Sequence, residues 1–172
     1  MKRHLVYYGS EILARTASPV ELLAAPPPSL LVDMFDIMDE FHGVGLAAPQ
    51  LGVLLQLLAV DLSRLNDGPR LSLVNPLIVW DSGDLVSYEE GCLSIPGIYH
   101  DILRPSKVVV QGLTFEGKQL EFEADGLLSR VLQHEIDHLN GVLFVDRLDS
   151  PVKKKYAKEL RSITKLNKSS AK

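Results

Sequence analysis

Between Asp125 and Gly141 the chain carries Leu127, Leu128, Val131, Leu132, Ile136 and Leu139, and these fall nearly all round a helix rather than along one stripe. A helix of that kind has no face to give to water, so the domain has to be built around it. Asp125 is placed to cap its start, and Asn140-Gly141 to end it in the left-handed conformation. Inside the same helix stand His134, Glu135, Asp137 and His138. Burying such groups unpaired costs a few kcal/mol each, which a metal ion and its supporting hydrogen bonds would offset.

The two histidines lie one turn apart, about 6 Å along the axis, on the stripe of Leu127 and Val131, so their imidazoles converge. His-Glu-x-x-His arises by chance on many surface helices, but the apolar surroundings here oppose that reading. A metal needs more ligands, and the candidates are Cys92, His4, His42, His100 or a carboxylate. One large class of zinc proteases places a third histidine six residues after the second; that position is Phe144. Another class uses a downstream glutamate, and the one glutamate beyond His138 is Glu159, on the apolar side of the tail with Val152, Tyr156 and Ile163. Cys92 is the better candidate. Its surroundings, Glu90-Gly91 and Ser94-Ile95-Pro96-Gly97, have the character of a loop or irregular edge. One thiolate and two imidazoles leave a fourth position for water, whereas a structural zinc takes four protein ligands. An open site implies chemistry, and Glu135, adjacent to a ligand, is the natural general base.

Gly43-Val44-Gly45-Leu46-Ala47-Ala48-Pro49-Gln50 reads as a glycine-rich connection from helix to strand. It lacks the Gly-x-x-x-x-Gly-Lys pattern of a phosphate loop. As a functional wall, Gly45 would let a substrate backbone approach closely, and Gln50 would donate to a developing oxyanion.

Around these stretches the spacing predicts a helix over Ser29 to Phe41 and strands over Leu55 to Leu62, Leu71 to Trp80 and Lys107 to Phe115. Gln119 to Ala124 forms the second arm of a hairpin turning at Glu116-Gly117-Lys118. Helices and strands do not alternate regularly, so the expected class is α+β, with mixed or antiparallel sheets packed around the central buried helix. A chain of 172 residues makes one domain with a substantial core, and no apolar run approaches a bilayer span. The start, Met1-Lys2-Arg3-His4-Leu5-Val6, meets polar Tyr7 to Glu11 where a signal peptide needs an apolar core, and the single Cys92 cannot form an internal disulfide. A cytoplasmic protein is expected, with neither membrane nor DNA as a partner.

Three stretches together, Gly43 to Gln50, Glu90-Gly91-Cys92-Leu93-Ser94 and His134 to His138, resemble the three signature motifs of peptide deformylases, in the family's order and spacing. The likeness extends to Tyr8-Gly9-Ser10-Glu11-Ile12-Leu13-Ala14-Arg15 and to Ala124-Asp125-Gly126. It implies a hydrolase that removes the formyl group from N-formylmethionyl nascent peptides. It further implies Cys92, His134 and His138 as metal ligands, Glu135 as proton shuttle, and the Leu93 N–H with Gln50 as oxyanion donors. The peptide would lie beside Gly43, Val44 and Gly45 and beside the Gly97 to Tyr99 segment, with Val44, Tyr88, Leu127, Val131 and the stem of Arg130 around its methionine. Ligand type alone points to zinc. The resemblance implies Fe(II), with zinc, nickel or cobalt able to substitute.

Residues 150 to 172 carry eight basic side chains, including Lys153, Lys154, Lys155, Lys158, Arg161 and Lys165, against Glu159, a net +7; with −4 for the whole chain, residues 1 to 149 carry −11. The expected organisation is a catalytic unit over 1 to 149 and a basic tail over 150 to 172, packed on the same domain. Ser150-Pro151 starts a helix whose inward stripe is Val152, Tyr156, Leu160 and Ile163. The resemblance adds the ribosome as a partner for its basic face.

Overall fold

A computed structural model describes residues 3–21, 26–65 and 68–169. In chain order the elements are α1 (Pro28–Phe41), β1 (Gly45–Ala47), β2 (Leu57–Asp61), β3 (Arg70–Asp81), β4 (Leu85–Cys92), β5 (Ile95–Pro105), β6 (Val108–Leu113), β7 (Gln119–Ala124), α2 (Gly126–Leu139), α3 (Ser150–Lys155), α4 (Ala157–Ile163) and α5 (Leu166–Ser169). The strands form a five-stranded sheet in the order β1-β2-β3-β6-β7 and a separate β4-β5 pair, and every pairing is antiparallel. The α+β class expected from the sequence is the class observed.

Strand β2 shows why the core sits where it does. All five of its residues are buried. Successive side chains of a strand point to opposite faces. Leu57 and Ala59 pack with Leu30, Met34, Ile37 and Met38 of α1, while Leu58 and Val60 pack with Val131, Leu132 and Ile136 of α2. A strand covered on both faces reads as an unbroken apolar run, and Leu57-Leu58-Ala59-Val60 is one. The sheet is thus sandwiched between two helices. Helix α2 is enclosed as its composition requires: every residue from Ser129 to Leu139 is buried. Asp125 occupies its N-cap position but makes no side-chain cap hydrogen bond, and Gly141 stands just past its end at φ 73°.

Three stretches differ from the sequence reading. The supposed loop around Cys92 is the tight end of a long hairpin, with β4 and β5 in register from Leu85 opposite Pro105 to Gly91 opposite Tyr99. The glycine-rich connection contains β1 and a 3-10 turn over Ala48–Leu51. The tail is three short helices, interrupted at Tyr156 and at Thr164-Lys165. Its stripe still faces inward: Leu160 and Ile163 pack with Ile95, Ile98 and Ile102 of β5 and with Phe144. Met1, Lys2 and Lys172 lie outside the described residues.

Candidate metal centre

Helix α2 presents His134 and His138 on one face, with ring centroids 5.0 Å apart. Cys92 arrives from β4 at the register break that follows Gly91, where the ladder tightens so that Cys92 faces Ile95. Its Sγ lies 3.2 Å from His138 Nε2. The ligand-capable atoms of Cys92, His134 and His138 all fall within 4.8 Å of one another, and among the described residues this is the grouping able to hold an ion. The other candidates do not join this grouping, although His42 lines the cleft beside it. Glu159 is exposed on α4, so it does not join the site as a third ligand, and His100 is engaged with the Tyr156 hydroxyl at 3.2 Å.

The ligands are held by a buried ionic cluster. Glu90 Oε2 accepts from His134 Nδ1 at 2.9 Å, which leaves the Nε2 lone pair of that ring for the site. Arg104 binds the same carboxylate through two donors, at 2.6 and 2.8 Å, and Arg130 adds a third at 2.8 Å. Arg104 also reaches Asp137 at 2.7 Å, and Asp137 receives Arg147 twice at 2.6 Å. Arg104 is 2% exposed. A cation buried to that degree is tolerable only when fully paired. Burial opposes ionisation of Glu90, but the hydrogen bonds from Arg104 and His134 outweigh it and hold the carboxyl well below the usual carboxylate range. Burial also opposes a charge on His134; the Cys92 and Glu90 hydrogen bonds overcome this and raise its proton affinity well above the ordinary value.

Glu135 is the opposite case. Burial pushes its pKa up to about 7, and no described residue donates to its Oε2. Its Oε1 lies against β1, where a Cβ on Gly45 would stand only 2.5 Å away. Only glycine leaves room for that carboxylate. An orphaned, buried carboxylate oxygen beside one thiolate and two imidazoles fits a hydrolytic metal centre with its water and substrate position still open. Gln50 is oriented toward the same point: its Oε1 accepts the Ala47 N–H at 2.7 Å, so Nε2 faces Ser94 Oγ at 3.2 Å and Cys92 Sγ at 3.5 Å.

These groups open onto a cleft of about 490 Å³. Of the residues singled out in the sequence as peptide contacts, Gly43, Val44 and Gly45 from the α1–β1 connection, Tyr88, Gly97 and Tyr99 from the β4–β5 hairpin, and Leu127, Arg130 and Val131 from α2 line it, as does the oxyanion donor Leu93, whereas Ile98 packs in the core instead. The guanidinium of Arg130 is committed to Glu90, to Ile102 O and to Val86 O, which leaves only its stem for a ligand. Sequence reasoning missed Glu90, Arg104 and Arg147 as supports, and Tyr7, Phe41 and Leu166 as cleft residues. A signal existed for Arg104: it shares the inward face of β5 with Ile98 and Ile102, and an inward arginine demands carboxylates.

A sequence model of the polypeptide deformylase family matches residues 2–154. Peptide deformylase of Hydrogenovibrio crunogenus is 43% identical over 170 residues, covering 99% of this chain and 96% of that one. The Brachyspira hyodysenteriae enzyme is 40% identical over 167 residues, covering 95% and 89%. Among solved structures, a peptide deformylase from Legionella pneumophila superposes with a TM-score of 0.85 at 41% identity, covering 96% of this chain and 97% of its own. A Synechococcus elongatus peptide deformylase in complex with actinonin gives 0.85 at 40% identity, covering 93% and 88%.

Proposed function

The chain belongs to the peptide deformylase family, metal-dependent hydrolases that remove the N-formyl group of nascent polypeptides, and we propose that Cys92, His134 and His138 are the residues that hold its ion. The observation that carries the assignment is the convergence of these three ligand atoms beside the orphaned Glu135. An ion held there supplies Lewis acidity, which makes water nucleophilic at neutral pH and polarises a carbonyl oxygen.

Glu135 takes the proton that water loses on attacking the formyl carbon and delivers it to the departing nitrogen. The C–N bond breaks, the methionine amine leaves neutral with that proton, and the formic acid formed gives up its remaining proton as it is released as formate. Gln50 Nε2 and the Leu93 N–H donate to the oxygen that becomes negative in the tetrahedral state. The peptide backbone lies extended along Gly43 to Gly45 and the Gly97 to Tyr99 segment. Val44, Tyr88, Leu127, Val131 and the Arg130 stem surround its methionine. The catalytic unit is residues 1 to 149.

We assign Fe(II) as the ion, with zinc, nickel and cobalt as substitutes, on the resemblance to the family, while the cysteine and two imidazoles taken alone point to zinc. The cytoplasm, a reducing compartment, suits a chain with one free cysteine, Cys92. Among the described residues no helix is long and apolar enough to cross a membrane. The decisive experiment is anaerobic purification with Fe(II) and measurement of formate released from formyl-Met-Ala, beside Glu135→Ala. Release by the wild type and not by the variant is expected; no release at full metal loading would refute the assignment.

The ribosome is the proposed partner of the tail, on the strength of exposed Lys154, Lys155, Lys158, Arg161 and Lys165. Because Leu160 and Ile163 belong to the core, the test replaces lysines rather than deleting the tail. Lys154, Lys155 and Lys158 changed to Gln should weaken salt-sensitive ribosome sedimentation; unaltered sedimentation refutes the contact.

A further inference from the structure

Helix α1 covers only part of its face of the five-stranded sheet. The apolar cluster beneath it reaches Val74 on β3 and Leu113 on β6, which stand opposite each other. Beyond this pair the face is bare. Directly opposed residues of antiparallel strands project from the same side, so the register defines two open rows: Leu77, Gln111 and Glu121, then Trp80, Val109 and Glu123. Ile78, Val110 and Phe122 point the other way, into the cluster around α2. Between Ile78 and Trp80 the ladder shifts, and the intervening Val79 is exposed as well.

Leu77, Val79 and Trp80 are 60%, 43% and 50% exposed, and Trp80 is the single tryptophan of the chain. Large apolar side chains massed on an uncovered sheet face form a surface for another element to bury. The border of this patch carries mostly one sign of charge. Glu121 and Glu123 stand in its two rows on β7, and Asp81 and Asp84 follow Trp80 toward β4, all exposed. Against them stands Lys107, paired with Glu123 at 3.3 Å. None of these residues lines the catalytic cleft.

We propose that this face docks an amphipathic helix of a partner protein, one whose apolar stripe is flanked by lysine or arginine. Such a helix lies beside α1 as a continuation of its layer, covering Leu77, Val79, Trp80 and Val109 while its cations meet Glu121, Glu123 and the two aspartates. A second copy of the chain fits poorly, because two such faces brought together oppose borders of like charge. The chain's own basic tail does not supply the helix either, since its apolar residues Leu160 and Ile163 are already packed in the core.

The test follows Trp80 fluorescence in the full-length, metal-loaded protein during titration with synthetic amphipathic peptides of about 14 residues. One peptide carries leucine and lysine at helical spacing, the other leucine and glutamate. The leucine-lysine peptide should shift the emission to the blue, saturably and with an affinity that falls as salt rises; the leucine-glutamate peptide should leave it unchanged. Leu77→Gln should weaken binding about five- to tenfold. Glu121→Gln combined with Glu123→Gln should remove most of the salt dependence. Both variants should unfold at the wild-type temperature. No shift with the leucine-lysine peptide, equal binding of the two peptides, or an affinity unmoved in Leu77→Gln overturns the proposal. A blue shift that grows with protein concentration in the absence of peptide, with a dimer in sedimentation, would make a second copy the occupant and overturn it too.

Discussion

Two buried glutamates flank the same histidine, and the protein surrounds them in opposite ways. Glu90 receives Arg104, Arg130 and His134, so each oxygen is paired. Glu135 sits one residue from His134 with Oε2 unpartnered and Oε1 pressed toward Gly45. The first is held ionised; the second has its pKa raised to about 7 by burial. Residue type and burial are alike, so partners alone decide which carboxylate is scaffold and which is free to handle a proton.

Substitutions can break that contrast. Glu135→Ala should lower kcat by ~10²–10⁴-fold while metal content and folding persist. A similar loss of metal would place Glu135 with the scaffold instead. Arg104→Met takes two buried donors from Glu90 and one from Asp137, leaving Glu90 with Arg130 and His134 and Asp137 with Arg147, and should cost about 3–5 kcal/mol in urea unfolding; a neutral result would mean the cluster is not cooperative. Glu90→Gln should weaken metal binding by ~10–100-fold, read by chelator competition, because His134 loses its charged acceptor. The same variant sharpens the pH contrast. Folding lowers the pKa of Glu90, so its stabilisation is full above the range where a free glutamate titrates, begins to fade there and is lost as pH falls through the lower folded pKa. Metal-free wild type should therefore lose more stability than Glu90→Gln between neutral pH and about pH 3. The smallest effect belongs to the rim: Tyr156→Phe, losing the bond to Tyr99 O, should cost about 0.5–1.5 kcal/mol in thermal unfolding.

The same contrast explains what was legible in the sequence. His134, Glu135 and His138 could be grouped because helical spacing is local, and the enclosure of α2 followed from its composition. Glu90 and Arg104 could not be paired from spacing alone, because their partnership depends on the register of the β4–β5 hairpin. That hairpin was itself obscured. Its outer face mixes exposed Leu85, Tyr99 and Leu103 with Glu89 and Asp101, so no alternation separates inside from outside. The tail showed its inward stripe, but not the interruptions at Tyr156 and Thr164-Lys165 that carry α5 to the cleft. Those turns answer to tertiary contacts with Tyr99 and Tyr7, which leave no periodic trace.

The bond between Asn167 and Tyr7 spans 160 positions of the chain. During synthesis on the ribosome, Tyr7 emerges early and must wait through nearly all of translation for its partner. At about 5–20 residues per second that delay is roughly 8–32 s, far longer than a strand pair or helix needs to form. The Leu166 side of the cleft is therefore the last part of its wall to be synthesised. A chain ending before residue 166 should have a wider entrance than the full-length protein.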